Sequence, residues 1–139
     1  MDAVNPTHPT DGAPVKISAT TLSLNVPDPE ASAAFARDHL GFATAMEADG
    51  FVSLHHPDSA LDVVFLRVGL ETFKPADIAG PAGQGTLLAL TVDDVDAEFA
   101  RIAAAGATAV TTPETEPWGE RYCQFRDPNG IVWQLVAWV

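Results

Sequence analysis

A repeat constrains this chain more than any other feature in it. Leu24, Val26 and Asp28 recur as Leu90, Val92 and Asp94 at one constant spacing. Gly41 recurs as Gly106 one residue out of step, and Pro57-Asp58-Ser59 recurs as Pro128-Asn129-Gly130. A repeat of this length implies that neither half buries its own sheet and that the halves share a surface.

Each half reads as βαβββ. Over Ile17–Val26, Leu22, Leu24 and Val26 share one face of a strand, with Thr21, Ser23 and Asn25 on the other. Asp28 is placed to cap a helix that has Pro29 at its first position and stops at Gly41. Three β segments follow, around Phe42–Glu47, Phe51–His55 and Leu61–Val68, with reversals at Asp49-Gly50 and His56-Pro57-Asp58-Ser59. The second half repeats this. A strand over Thr86–Val92 leads to a helix carrying Val95, Phe99 and Ile102 at helical spacing, which ends at Gly106. A strand over Ala107–Thr111 and a closing hairpin complete the set. The fold class is therefore α+β: two tandem βαβββ modules forming curved mixed sheets around a cavity, with helices on the outside. Module one spans 17–68, the Pro/Gly-rich connector 69–85 and module two 86–139, all within one domain over 16–139. Residues 1–15, with Pro6, Pro9 and Pro14 and few large apolar side chains, read as a flexible N-terminal tail.

The closing hairpin, Glu116 to Val139, joins strands Arg121–Phe125 and Ile131–Ala137 through Asp127-Pro128-Asn129-Gly130. It concentrates Trp118, Tyr122, Phe125, Trp133 and Trp138 in one stretch. Such aromatics either wall a binding site or fill a core. Strand parity puts Trp133 on the face away from any ligand.

Charge narrows the partners. The formal net charge is −12, from 19 acidic and 7 basic residues. That opposes nucleic acid and anionic membrane surfaces, and it favours a neutral or cationic small molecule if it does more than keep the chain soluble. The single Cys123 excludes an intramolecular disulfide and suits a reducing cytoplasm. No apolar run approaches a membrane span, and the first residues lack the pattern of a secretion signal. A cytoplasmic location is the expectation.

The two βαβββ modules, the LSLNVPD and LALTVDDVDA strand–helix junctions and the PWGERY…DPNGIVWQL hairpin resemble the vicinal oxygen chelate superfamily of glyoxalases, extradiol dioxygenases and bleomycin-resistance proteins. The resemblance spans roughly residues 17–139. It implies a homodimer in which modules of two chains complete each site, and the apolar end Val136-Ala137-Trp138-Val139 fits an interface.

Metal-dependent members of that superfamily carry one ligand near the start of each module's first strand and another on its last strand. The resemblance maps these positions onto Thr21, Val63, Leu87 and Gln134. Two of them have no donor atom and two are weak neutral donors, so no metal and no cofactor are expected. His8 lies in the tail, His39 is on the first helix, and His55 and His56 point to opposite faces. Asp62 is one residue off the ligand position and is expected on the helix side or in solvent.

The expected function is metal-free binding of a small organic molecule, aromatic or cationic, in the manner of bleomycin-resistance proteins that sequester a drug or natural product. The alternatives are a metal-free enzyme acting on a secondary-metabolite intermediate, with Tyr122, Glu120, Arg121 or Asp62 moving protons, or a metal-dependent lyase or dioxygenase. The candidate ligand-binding residues are Thr21, Ser23, Asn25, Phe51, Val63, Phe65, Leu87, Ala89, Trp118, Arg121, Tyr122 and Gln134. The catalytic residues and the ligand are left unassigned. The connector reads either as a lid or as an idle linker.

Overall fold

Both helices start where an aspartate can cap them. In the computed structural model, which describes residues 14–139, Asp28 accepts the amide of Ala31 at 3.3 Å and Asp94 that of Ala97 at 3.0 Å. The first helix, α1, is Pro29–Leu40, closed by Gly41 in the left-handed conformation (φ 79°). The second, α2, is Val95–Ala104. The expected tail over 1–15 and His8 fall almost wholly outside the described residues.

Around these helices the strands are β1 (Thr20–Val26), β2 (Ala43–Ala48), β3 (Phe51–His55) and β4 (Leu61–Arg67) in module one. Module two has β5 (Leu87–Thr91), β6 (Thr108–Thr115), β7 (Glu120–Arg126) and β8 (Val132–Trp138). They form two four-stranded mixed sheets, ordered β1-β4-β3-β2 and β5-β8-β7-β6. In each sheet the first strand runs parallel to the last and the other pairs are antiparallel. The βαβββ reading and the duplication are thus the fold, although neither sheet closes on the other as a barrel.

The modules meet through one aromatic side chain. Trp133 of β8 lies 6.3 Å from Phe35 of α1, 5.9 Å from Phe42 and 6.4 Å from Phe65 of β4, centroid to centroid. Trp133 and Phe65 are fully buried, and Phe35 and Phe42 nearly so. Parity predicts this inward facing of Trp133. Beneath it, the β7–β8 turn is bonded to the start of α1. The Asp127 carboxylate accepts from Ser32 Oγ at 2.7 Å and Trp133 Nε1 at 3.2 Å, and also from the amides of Asn129 at 2.9 Å and Ile131 at 3.0 Å. Asn129 donates to the Asp28 carbonyl at 2.6 Å and accepts its amide at 3.1 Å. Every polar group drawn into this joint finds a partner, which is what burial requires.

The connector is not idle. The Asn25 amide donates to the carbonyls of Gly80 at 3.0 Å and Ile78 at 3.3 Å, and the Ala82 amide bonds the Asn25 carbonyl at 2.9 Å. Those bonds pin 78–82 against the end of β1. On β7, burial pushes the Cys123 thiol up to about 11.

Two outcomes follow. Asp127→Ala strands four donors and should cost about 2–4 kcal/mol in denaturant unfolding, whereas Asp58→Ala, in the corresponding turn of module one, should stay within about 0.5 kcal/mol. Cys123, protonated and enclosed at pH 8, should resist iodoacetamide in the native protein and react fully in denaturant, as read by intact mass.

Candidate functional site

Residues paired across a ladder point to the same face, so register decides what each sheet offers its open side. In module one Thr21 pairs with Asp62, Ser23 with Val64 and Asn25 with Leu66. The next strand brings Phe51 beside Leu66 and Ser53 beside Val64. His55 completes this face: its Nδ1 lies 2.7 Å from Asp62 Oδ1, so the two side chains form a hydrogen-bonded pair. Phe51, one of the candidate ligand-binding residues, is thus placed on the open face.

Val63 and Phe65 are not on that face. They pair with Leu22 and Leu24 and lie in the helix-side core, 2% and 0% exposed. Asp62 takes the expected place of Val63 beside Thr21. The cause is loop length. Phe125 pairs with Trp133 across the β7–β8 turn, but Leu54 pairs with Val63 across β3–β4, a loop one residue longer. One residue inverts every side chain after it. The apolar run Val63-Val64-Phe65-Leu66 gives no alternation to reveal the shift; the one available signal was the isolated Asp62.

In module two the corresponding face is read from the β5–β8 and β7–β8 ladders. Leu87 pairs with Val132, Ala89 with Gln134 and Thr91 with Val136, and Tyr122 and Gln124 of β7 share the face. Gln124 bridges Thr111 at 2.8 Å and Gln134 at 2.9 Å. Tyr122 donates to Glu116 at 2.6 Å, with Glu114 at 3.1 Å from the same hydroxyl. The hydrogen bond to Glu116, followed by burial, raises the Tyr122 pKa far above the ordinary phenol value, so the hydroxyl is a donor and not a phenolate base. Trp118 is 65% exposed with its Nε1 3.2 Å from Glu120, and Trp138 at the end of β8 is equally exposed.

Two further expected site residues are committed elsewhere. Arg121 lies on the helix side, where its guanidinium grips Asp96 of α2 at 2.6 and 2.8 Å and Thr115 at 2.9 Å. Hydrogen bonding to that guanidinium holds the Asp96 carboxyl below the usual carboxylate range. Asn25 faces the open side but spends its amide on the connector and is 8% exposed. Nor does the chain by itself wrap these faces into a bowl, since Thr21, Ser23, Leu87, Ala89 and Thr91 are exposed. A cleft of about 640 Å³ does exist, but at the junction of the modules, and Ala89 is its one lining residue among the expected ligand contacts.

A metal fits these faces poorly. Beside Thr21 stands one carboxylate, Asp62, and it is bonded to His55. Across in module two, Leu87 and Ala89 have no donor, and Gln134 Oε1 accepts from Gln124. Among the described residues no three His, Cys, Asp or Glu side chains converge as a metal site would need.

Comparison with known proteins settles the family. The profile of the glyoxalase/bleomycin resistance protein/dioxygenase superfamily matches residues 16–135. The chain belongs to that superfamily. An uncharacterized protein of Mycobacterium bovis is 36% identical over 91 residues, 66% of this chain and 55% of its own length, so the chain spans about half of that relative. The crystal structure of a superfamily member from Nocardioides superposes with a TM-score of 0.75 at 25% identity, covering 92% of this chain and 87% of the other. TnmS3, an antibiotic binding protein from Streptomyces sp. CB03234, superposes with a TM-score of 0.69 at 25% identity, covering 89% of this chain and 98% of its own.

The register assigns opposite consequences to adjacent residues of β4. Phe65→Ala should cost about 3–5 kcal/mol in denaturant unfolding, while Val64→Ser on the open face should cost under about 1.5 kcal/mol.

Proposed function

We propose that this protein binds and sequesters a small organic molecule on the open faces of its sheets, without a metal. The observation that carries this reading is the make-up of those faces. They offer hydroxyls and amides (Thr21, Ser23, Gln134) beside aromatic surface (Phe51, Tyr122), which suits a flat polar organic ligand better than an ion. Similarity to TnmS3, which binds an antibiotic, supports the same use. The net charge of −12 favours a cationic or neutral guest.

A second copy of the chain supplies the opposite wall. β1 and β5 are sheet edges, and Leu87, Trp138 and Val139 leave 43%, 65% and 76% of their surface exposed. The homodimer works in the cytoplasm, where the lone thiol stays reduced; no helix among the described residues is long and apolar enough to cross a membrane.

A second reading, metal-free catalysis, is favoured by the His55–Asp62 pair alone. A carboxylate that fixes Nδ1 leaves Nε2 facing the open side as a general base.

The decisive experiment is titration of the chelator-treated protein with a cationic glycopeptide of the bleomycin type, read by tryptophan fluorescence and followed by mass spectrometry of the ligand. Saturable quenching with the ligand recovered unchanged supports sequestration. A mass change that disappears in Asp62→Asn supports catalysis, and binding that requires added Zn²⁺, Ni²⁺ or Fe²⁺ sinks both. Light scattering should give a dimer mass, reduced toward the monomer in a Leu87→Glu/Trp138→Glu variant.

A further inference from the structure

The duplication gives this molecule two joints of one design, each a strand–strand turn set against the start of the other module's helix. The joint at Asp127–Asn129 is closed by the hydrogen bonds to Ser32 and Asp28. At the corresponding joint, His56–Ala60 faces the start of α2, with Asp94 in the place of Asp28 and Glu98 in the place of Ser32. Among the described residues no hydrogen bond crosses it; the polar contacts of this turn are its own, such as Asp58 N–H to His56 Nδ1 at 3.1 Å. The joint stays open, and the opening is the cleft of about 640 Å³. The joint that closes does so on a turn one residue shorter, so the gap goes with both the longer β3–β4 loop and the side chains present.

The lining has two parts. Phe42, Leu90, Ile102 and Leu135 make an apolar wall. Asp58, Asp93 and Glu98 bring three carboxylates, and Arg101 is the one guanidinium. That cation is already spent, because Arg101 donates to Glu98 at 2.7 Å and to the His39 carbonyl at 3.0 Å. Asp58 and Asp93 have no side-chain hydrogen-bond partner among the described residues. His56 is held edge-on to Phe42 at 5.1 Å, its Nδ1 accepting the Asp58 amide and its Nε2 lying beside Gly41. The partial positive charge at the start of α2, roughly half a unit, opposes a cation here but is outweighed by two unpaired carboxylates.

We propose that this cleft is a second binding site, distinct from the open sheet faces, for a small organic cation: an aryl or alkyl body against Leu40 and Leu90, with an ammonium directed to Asp58 and Asp93. Its volume suits a compact ligand. β5 separates the two sites, with Ala89 and Thr91 reaching both, so a guest in the cleft also touches the edge of the open face.

The test uses the full chain, ¹⁵N-labelled, titrated with benzylamine and separately with benzyl alcohol, its neutral counterpart. Benzylamine should give saturable amide shifts at Ala60, Asp93 and Ile102, and benzyl alcohol should bind about ten-fold more weakly, the ion–carboxylate attraction being lost. An Asp58→Asn/Asp93→Asn variant should weaken benzylamine about ten-fold and leave benzyl alcohol unchanged, and Ala60→Trp, which fills the cleft, should abolish both. Equal binding of amine and alcohol, shifts centred on Ser23, Val64 and Gln134, or no saturation by benzylamine would overturn the proposal. The open-face reading is scored at those last three residues, so each can fail without the other.

Discussion

One buried carboxylate under one buried indole holds the two halves together. Asp127 gathers Ser32 of one module and Trp133 of the other, and Trp133 then fills the space between Phe35, Phe42 and Phe65. A carboxylate is tolerated in such a place only if its lone pairs are occupied, and here four donors occupy them. With the helix sides turned toward each other around this joint, the open faces are left outward. In that arrangement neither module roofs the other's open face within one chain.

The duplication was used unequally. Module two keeps its turn tied to α1 and its open face linked by the hydrogen-bond chain from the Thr111 hydroxyl through the Gln124 amide to Gln134. Module one has a turn bonded only within itself, a face carrying the His55–Asp62 pair, and a connector anchored by Asn25. Two sites of different character can therefore sit in one small chain: an open, polar-aromatic surface and a cleft with an acidic rim. Both proposed sites suit a neutral or cationic guest in a chain of net charge −12.

Much of this was legible in the residues. Alternation in β1 and β5, the caps at Asp28 and Asp94, the stops at Gly41 and Gly106 and the Asp-Pro-Asn-Gly turn are local signals, and local signals survive folding because they act between neighbours. The facing of β4 was not legible, because both of its faces are apolar and its register depends on a loop whose length has no mark in the sequence. Arg121 could not be assigned either. Its partner Asp96 lies 25 residues away, on a helix whose rotation about its axis is set only by packing.

The amino-acid order by itself determined the elements, their duplication and the inward turn of Trp133, since each depends on residue type or on a period of two or 3.6 along one segment. Tertiary structure alone decided that Asp62 and not Val63 stands beside Thr21, that Asn25 is consumed by the connector, and that one of two equivalent joints remains open. These depend on distances between segments remote in sequence, where a single extra loop residue or one missing side chain changes the outcome.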